Sequence, residues 1–525
     1  MTKVLIADDL DARAREVFEN RGIDVDVKIG LGEDALIACI GDYDGLAVRS
    51  ATKATAKVLD AADKLKVVGR AGIGVDNIDV AAATANGVVV MNTPFGNAIT
   101  TAEHAIAMMM ALARQIPLAN VSTQAGKWEK SRFMGVEMTG KTLGIIGCGN
   151  IGSIVADRAV GLRMKVVGYD PFLTDERAVE IGVEKVDLDT LLRRADVISL
   201  HTPLTDQTRG IIDAEAIAKT RKGVRIINCA RGGLVDEAAL KDALDSGHVA
   251  AAALDVFEIE PARENPLFGH ENLICTPHLG ASTTEAQVNV AIQIAEQISD
   301  YLLTGAVINA LNMPSVTAEE APRLAPYMKL AEQLGSFAGQ MTRSAIKSVT
   351  IEYEGHAAGL NCKPLTAAAL KGLLSPQLET VNMVSAPVIA NQRGIDVAEV
   401  RHDRDSDYQT LIRLTVTTEN QTRSVAGTLF GGDKPRVVNV KGVPMEAELG
   451  PHMLYITNND KPGLIGGLGT ILGNAGVNIA TFHLGRDKIG GDAIALVEVD
   501  QKITPEVVDQ VANLPNVMQA RALAF

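Results

Sequence analysis

The sequence predicts an α/β protein: two doubly wound lobes built on parallel sheets, then an α+β stretch, then a ferredoxin-like unit at the C-terminal end. Three observations carry that prediction. Short apolar runs suited to buried parallel strands alternate with helical patterns from Lys3 to Gly280. One of these runs ends in a glycine-rich turn that opens a helix, Lys141-Thr-Leu-Gly-Ile-Ile-Gly147-Cys148-Gly149-Asn150-Ile151-Gly152. Residues 451–525 read strand, helix, strand, strand, helix, strand, with Gly- and Asn-rich turns.

Taken in order, residues 4–7, 45–48 and 67–69 read as strands, the first followed by a helix over 12–21. The later two end at Arg49-Ser50 and at Arg70-Ala-Gly72-Ile73. Ligands of open α/β sheets bind beyond the carboxyl ends of strands, so both arginines are candidates for holding an anion, with a plain surface cation as the alternative for each. A helix over 100–114 leads toward the glycine turn. Between them lies Lys127-Trp128-Glu-Lys-Ser-Arg132, basic and carrying the only tryptophan. Arg132 is a candidate anion contact, from its own or a neighbouring subunit, with a solvated loop as the alternative.

After the turn, residues 153–160 read as helix and 165–169 as a second strand tipped by Asp170. A carboxylate about 20 residues beyond the glycines is where a βαβ unit holds an adenosine ribose. Gly147 permits the tight turn, Gly149 lets backbone amides approach a pyrophosphate, and Gly152 lets helix and strand pack closely. Asp170 repels a 2′-phosphate, and Pro171-Phe172 brings no arginine, so the cofactor is expected to be NAD and not NADP. Strands at 196–200, 224–227, 250–254 and 273–275 end at His201-Thr202, at Asn228-Cys229-Ala230-Arg231, at Asp255 and at Thr276-Pro-His278. A long helix over 285–303 and an extended exit over 305–314 follow. Residues 316–445 mix helices and strands without a catalytic constellation.

Composition narrows the function. The chain has 525 residues, enough for three to four domains, and carries a net charge of −14, which disfavours nonspecific nucleic-acid binding. Its cysteines (39, 148, 229, 275 and 362) are scattered, without a CxxC or a Cys/His cluster, so neither a disulfide framework nor a metal site is expected. Cys148 and Cys229 read as small packing residues. No run of about 18 apolar residues or signal peptide is visible, which makes a cytoplasmic protein without membrane contact the expectation.

Hydride transfer at a 2-hydroxy acid needs a proton acceptor near neutral pKa, a carboxylate to orient it, and a fixed cation for the substrate carboxylate. His278, Glu260 and Arg231 offer these at strand tips of one lobe, and Glu258 is a rival carboxylate.

Asn-Cys-Ala-Arg231-Gly-Gly, Asp255-Val-Phe-Glu-Ile-Glu260-Pro and Pro-His278-Leu-Gly-Ala-Ser-Thr together resemble the D-isomer-specific 2-hydroxyacid dehydrogenases. Arg49-Ser-Ala-Thr-Lys, Gly69-Arg70-Ala-Gly-Ile-Gly-Val-Asp-Asn and Gly126-Lys-Trp match the N-terminal segments of that family, and the likeness to its long-form branch acting on 3-phosphoglycerate covers essentially the whole chain. The resemblance implies that Arg231 binds the substrate carboxylate, that Glu260, directly before Pro261, pairs with His278, and that His278 moves the proton. Cofactor contacts are implied at Ile73, Gly147, Gly149, Asn150, Ile151, Gly152, Asp170, Thr202, Cys229, Ala230, Asp255, Gly280 and Ala281. Asp255 is expected near the carboxamide, a turn cap being its alternative. Arg49, Ser50, Arg70, Gly72 and Arg132 are the implied substrate contacts. It also implies a discontinuous substrate domain, 1–97 with 282–315, around an NAD-binding Rossmann domain at 98–281. An intervening domain at 316–445 and an ACT regulatory domain at 450–525 follow. Asn458, Asp460 and Asn478 fall where ACT domains hold an effector, here L-serine, and the assembly implied is a homodimer or homotetramer. The activity implied is oxidation of 3-phospho-D-glycerate with NAD⁺ at the opening of serine biosynthesis. The alternatives are a reductase for hydroxypyruvate, glyoxylate or 2-oxoglutarate, and a non-catalytic NAD-sensing regulator.

Overall fold

A computed structural model describes residues 2–317, 319–378, 381–402 and 407–525, so the expected intervening stretch includes a few positions outside the described residues. The predicted fold class holds. The first sheet is five-stranded and parallel, ordered Asp24–Val27, Lys3–Ile6, Gly45–Val48, Val67–Arg70, Val89–Asn92. Its inner strands are apolar at nearly every position because helices cover both faces. The second sheet is seven-stranded and parallel: Leu273–Cys275, Val249–Leu254, Val224–Asn228, Val197–Leu200, Thr142–Ile146, Lys165–Tyr169, Glu184–Lys185. Strand order reverses between Thr142–Ile146 and Val197–Leu200, and a crevice opens at such a point beyond the carboxyl ends.

Helix Thr284–Thr304 starts on a Thr283 cap and ends at Gly305 in the left-handed conformation. It returns to the first sheet, where Val290, Ile294 and Ile298 join Val4, Ile6, Val67 and Met91 in one buried cluster. Gly69 makes this approach possible, since a Cβ there would lie 2.6 Å from Ile298 and 2.7 Å from Ile294. The exit segment closes the lobe: Val90 N–H donates to Asn312 Oδ1 at 2.9 Å, and Ala310 bridges Met91.

Beyond it, helices Ala321–Met341 and Cys362–Leu374 pack through Gly335, Gly339 and Gly372 on a six-stranded mixed sheet. A four-stranded antiparallel sheet, ordered Ile479–Arg486, Asp492–Val499, Met453–Asn459, Val517–Leu523, carries the last two helices, Leu464–Asn474 and Pro505–Ala512. Its other face does not stand apart: Met453, Tyr455, Ile494 and Leu523 share a buried cluster with Leu334, Phe337 and Val425. No single helix among the described residues is long and apolar enough to cross a membrane.

The close approach at Gly69 sets a testable cost. Gly69→Val drives two methyl groups into the returning helix and is expected to lower stability by about 1–3 kcal/mol, read by denaturant unfolding of the full chain.

Candidate active site

The glycine turn builds a cradle for a pyrophosphate from local constraints. Gly147 has φ 93°, and a Cβ on Gly152 would lie 2.0 Å from the Gly147 carbonyl oxygen, so neither position takes a side chain. A Cβ on Gly149 would meet nothing within 4 Å, leaving open space above the first turn of helix Asn150–Gly161. That helix starts three residues before the expected one, so Asn150 and Ile151 are its first two residues, beside the exposed N–H groups and their positive end. Asp170 stands at the tip of the next strand and accepts from Cys148 N–H at 2.9 Å and Phe172 N–H at 2.8 Å. It is tied to the turn it serves. Glycine cradle, helix N-terminus and acidic tip together fit NAD. Cys148 and Cys229 are buried packing residues; burial is the main cause of both raised thiols, Cys148 to about 12. His201 is pushed down to about 4 by burial, so it stays neutral at pH 7.

Four strand tips and loops meet at the carboxyl ends of the second sheet. Asp255 follows strand Val249–Leu254 and is fully buried. Burial alone raises a carboxylate, but hydrogen bonds from His104, Thr276 and the Leu279 N–H hold Asp255 below its ordinary range. The distances are 2.6 Å from Thr276 Oγ1, 2.7 Å from Leu279 N–H and 2.8 Å from Gly280 N–H, with His104 Nε2 at 3.3 Å. This turn carries His278 at φ 55°, a left-handed conformation anchored by its N–H donating to the Asp255 carbonyl at 2.9 Å. His278 Nδ1 lies 2.7 Å from Glu260 Oε2, and Glu260 Oε1 accepts from Phe257 N–H at 3.0 Å. Glu260 is raised by burial and lowered more by these two partners, so it remains a carboxylate. Glu258, its rival, is exposed, and its N–H is held by Glu237.

Arg231 follows strand Val224–Asn228 and reaches across to the first lobe. Its Nε donates to Asp76 Oδ2 at 3.1 Å, and a Cβ on Gly74 would lie 1.7 Å from its Nη2. Arg70 is pushed down to about 10, first by burial and then by the Arg231 cation, with Asp76 opposing and Arg49 adding to the repulsion. Arg70 therefore feels the guanidinium groups of both Arg231 and Arg49 at the opening between the lobes. Arg70 Nε is steered by Asn77 Oδ1 at 3.1 Å, and the Asn77 amide donates to the Arg49 carbonyl at 2.7 Å. Gly72, at φ 147°, lies against Arg70, where a Cβ would sit 2.8 Å from its Nη1. Ile73 accepts on its carbonyl from Asn92 at 2.5 Å. Ser50, Thr202, Ala230, Gly280 and Ala281 occupy the loops on which the sequence put them. Arg132 is elsewhere: it pairs with Glu129 at 3.4 Å and Glu271 at 3.5 Å, and does not join Arg231 within the chain.

Sequence reasoning missed Asp76 and His104. Asp76 lies inside a quoted motif but shows its role only across the lobes. His104 sits mid-helix, where nothing local distinguishes it from a packing residue.

Comparison with known proteins follows this geometry. The D-isomer specific 2-hydroxyacid dehydrogenase NAD-binding domain matches residues 106–280, the D-3-phosphoglycerate dehydrogenase intervening domain 323–441 and the ACT domain 452–516. A D-3-phosphoglycerate dehydrogenase of Synechocystis is 44% identical, covering 99% of this chain and 94% of its own. The chain belongs to the D-3-phosphoglycerate dehydrogenase family. A relative of the same name in Archaeoglobus fulgidus is also 44% identical, covering 99% of both chains. Among solved structures, a glyoxylate reductase from Paecilomyes thermophila aligns with TM-score 0.56 at 30% identity, covering 59% of this chain and 98% of that one. As a member of this family, the protein is an NAD-dependent dehydrogenase.

The tie between Asp170 and the glycine turn makes a testable selector. Asp170→Ala is expected to weaken NAD binding more than NADP binding, measured as dissociation constants for both reduced cofactors by fluorescence titration. An unchanged NAD/NADP ratio would remove Asp170 from that role.

Proposed function

We propose that this chain oxidises 3-phospho-D-glycerate at C2 to 3-phosphooxypyruvate, opening phosphorylated serine synthesis. The observation that carries this reading is the His278–Glu260 pair beside Arg231, with Arg70 and Arg49 within electrostatic reach, a cation set suited to a substrate bearing a carboxylate and a phosphate. Bound NAD⁺ supplies the hydride acceptor. Arg231 grips the substrate carboxylate and polarises the C2 oxygen, and to do so its Nε exchanges Asp76 for the ligand. Glu260 holds Nδ1 of His278, which leaves Nε2 free to take the C2 hydroxyl proton as the C2 hydrogen departs. The carboxylate stabilises the imidazolium that forms and keeps the ring aimed. Arg49 and Arg70 hold the phosphate. In the reverse direction the imidazolium returns its proton.

The remaining parts of the proposal concern assembly and control. We assign dimerisation to the exposed apolar side chains Ile116, Val121, Trp128 and Met134, next to Arg132, which would then face a neighbouring subunit. L-serine is the proposed effector at the ACT sheet. Supporting it, Asn458 Oδ1 is buried without a partner. Asp460 is engaged by Arg486 at 2.9 Å and by Gly490 N–H at 3.0 Å, so an effector has to compete there, whereas Asn478 holds Asp500 at 2.7 Å. A cytoplasmic location is proposed on the free state of the cysteines among the described residues.

His278→Ala is expected to lower turnover about 10²–10⁴-fold while leaving NADH affinity nearly intact. Steady-state rates beside an NADH titration measure both, and equal loss of the two contradicts the acid–base role. Initial rates with NAD⁺ across 3-phosphoglycerate, glycerate, lactate and 2-hydroxyglutarate, with and without L-serine, test the substrate and the effector together. Arg49→Ala should raise KM for 3-phosphoglycerate far more than for glycerate. Equal activity on the unphosphorylated acids would overturn the phosphoglycerate reading.

A further inference from the structure

Helix Ala98–Ala113 begins where the chain crosses from the first sheet to the second. Strand Val89–Asn92 still belongs to the first, whereas Ala102, Ala105, Met108 and Met109 are buried in the core of the second. The return crossing passes the same place: Thr100 Oγ1 lies 3.4 Å from Thr283 Oγ1, the cap of helix Thr284–Thr304. One face of Ala98–Ala113 meets the turn that carries His278. The residues that touch it, Thr101, His104 and Met108, recur at helical spacing.

Thr101 and His104 grip that turn at its two ends. Thr101 Oγ1 donates to the Gly280 carbonyl at 2.9 Å. A Cβ on Gly280 would lie 3.3 Å from Thr101 Cγ2, so helix and turn are in close contact. His104 Nε2 stands 3.2 Å from Thr276 Oγ1 and 3.3 Å from Asp255 Oδ1. Counting hydrogens shows which way these bonds run. Thr276 has one hydroxyl hydrogen, and the Asp255 carboxylate at 2.6 Å takes it in preference to the Met108 thioether at 4.0 Å. Thr276 Oγ1 and Asp255 Oδ1 are then both acceptors toward His104, so the ring hydrogen sits on Nε2. Removing that donor takes a partner from a carboxylate that has no exposure to water.

We infer that His104 is a positioning residue for the hydride transfer. Acting through Thr276 and Asp255, with Thr101 beside it, His104 ties the turn 276–280 to the helix that starts at the crossing between the lobes, and so aims His278. The inference rests on the reading of His278 as the group that takes the hydroxyl proton. Its effect belongs to turnover and not to substrate affinity, because the cations assigned to the substrate, Arg231, Arg49 and Arg70, sit on other loops.

Steady-state rates of the full chain with NAD⁺ and 3-phosphoglycerate test this in His104→Leu, His104→Gln and Thr101→Val, beside the wild type and His278→Ala. Leucine fills the space without a donor, and the glutamine amide nitrogen reaches the place of Nε2. His104→Leu is expected to lower kcat about 10-fold, the order of loss when a reacting group is slightly misplaced, with little change in KM. His104→Gln is expected to recover most of the wild-type rate. A leucine variant with wild-type kcat overturns the inference, and so does a glutamine variant no better than the leucine one, since the donor is then not what matters. If the leucine variant does not fold, Thr101→Val decides: a lowered kcat at unchanged KM upholds the inference, and a wild-type kcat overturns it. His278→Ala separates the two possible failures. Wild-type turnover in that variant removes the reading of His278 and the inference with it; lost turnover there, with His104→Leu unaffected, removes the inference alone.

Discussion

The buried carboxylate of Asp255 is the constraint on which the geometry of the candidate active site rests. It has no exposure and would be costly without partners, and the turn from Thr276 to Gly280 supplies them: a hydroxyl and two backbone N–H groups. Satisfying that one group fixes the path of the turn and so the left-handed backbone at His278. The imidazole is then delivered to Glu260, itself held at its other oxygen by the Phe257 N–H. Strand end, turn and loop are thus coupled by a short chain of charge-assisted hydrogen bonds. His104, from helix Ala98–Ala113, joins the network at Asp255 Oδ1 and at Thr276 Oγ1.

A second constraint is the crowding of positive charge at the opening between the lobes. Arg70 is repelled by Arg231 and by Arg49, and Asp76, which accepts from Arg231, offsets part of that repulsion. In the proposed mechanism an anionic ligand replaces Asp76 in this role, so binding energy and relief of repulsion act together. Arg231 follows a strand of the second sheet and Asp76 lies in the loop after a strand of the first, so their contact spans the two lobes.

Much of this was legible in the sequence because its causes are local. The glycine turn, Asp170 and the four polar strand tips follow from chain geometry over a few residues, and helix ends were misplaced by one to three positions where frayed caps decide them. The Asp76–Arg231 contact spans 155 positions and the His104–Thr276 contact 172, and no periodicity reports such pairings. The same holds for the core shared by the intervening and ACT sheets. The apolar run Met453–Ile456 says that both faces of this strand are covered, not by which helices.

The helix that returns to the first sheet has a consequence for biosynthesis. As the chain leaves the ribosome, its first sheet emerges with Val4, Val67 and Met91 bare on one side, because Ile294 and Ile298 have yet to be made. The entire middle lobe must be translated before that surface is sealed. During this interval the nascent protein presents a sticky flank of its own, and chaperone protection during translation matters more here than for a lobe whose covering helix comes next in line.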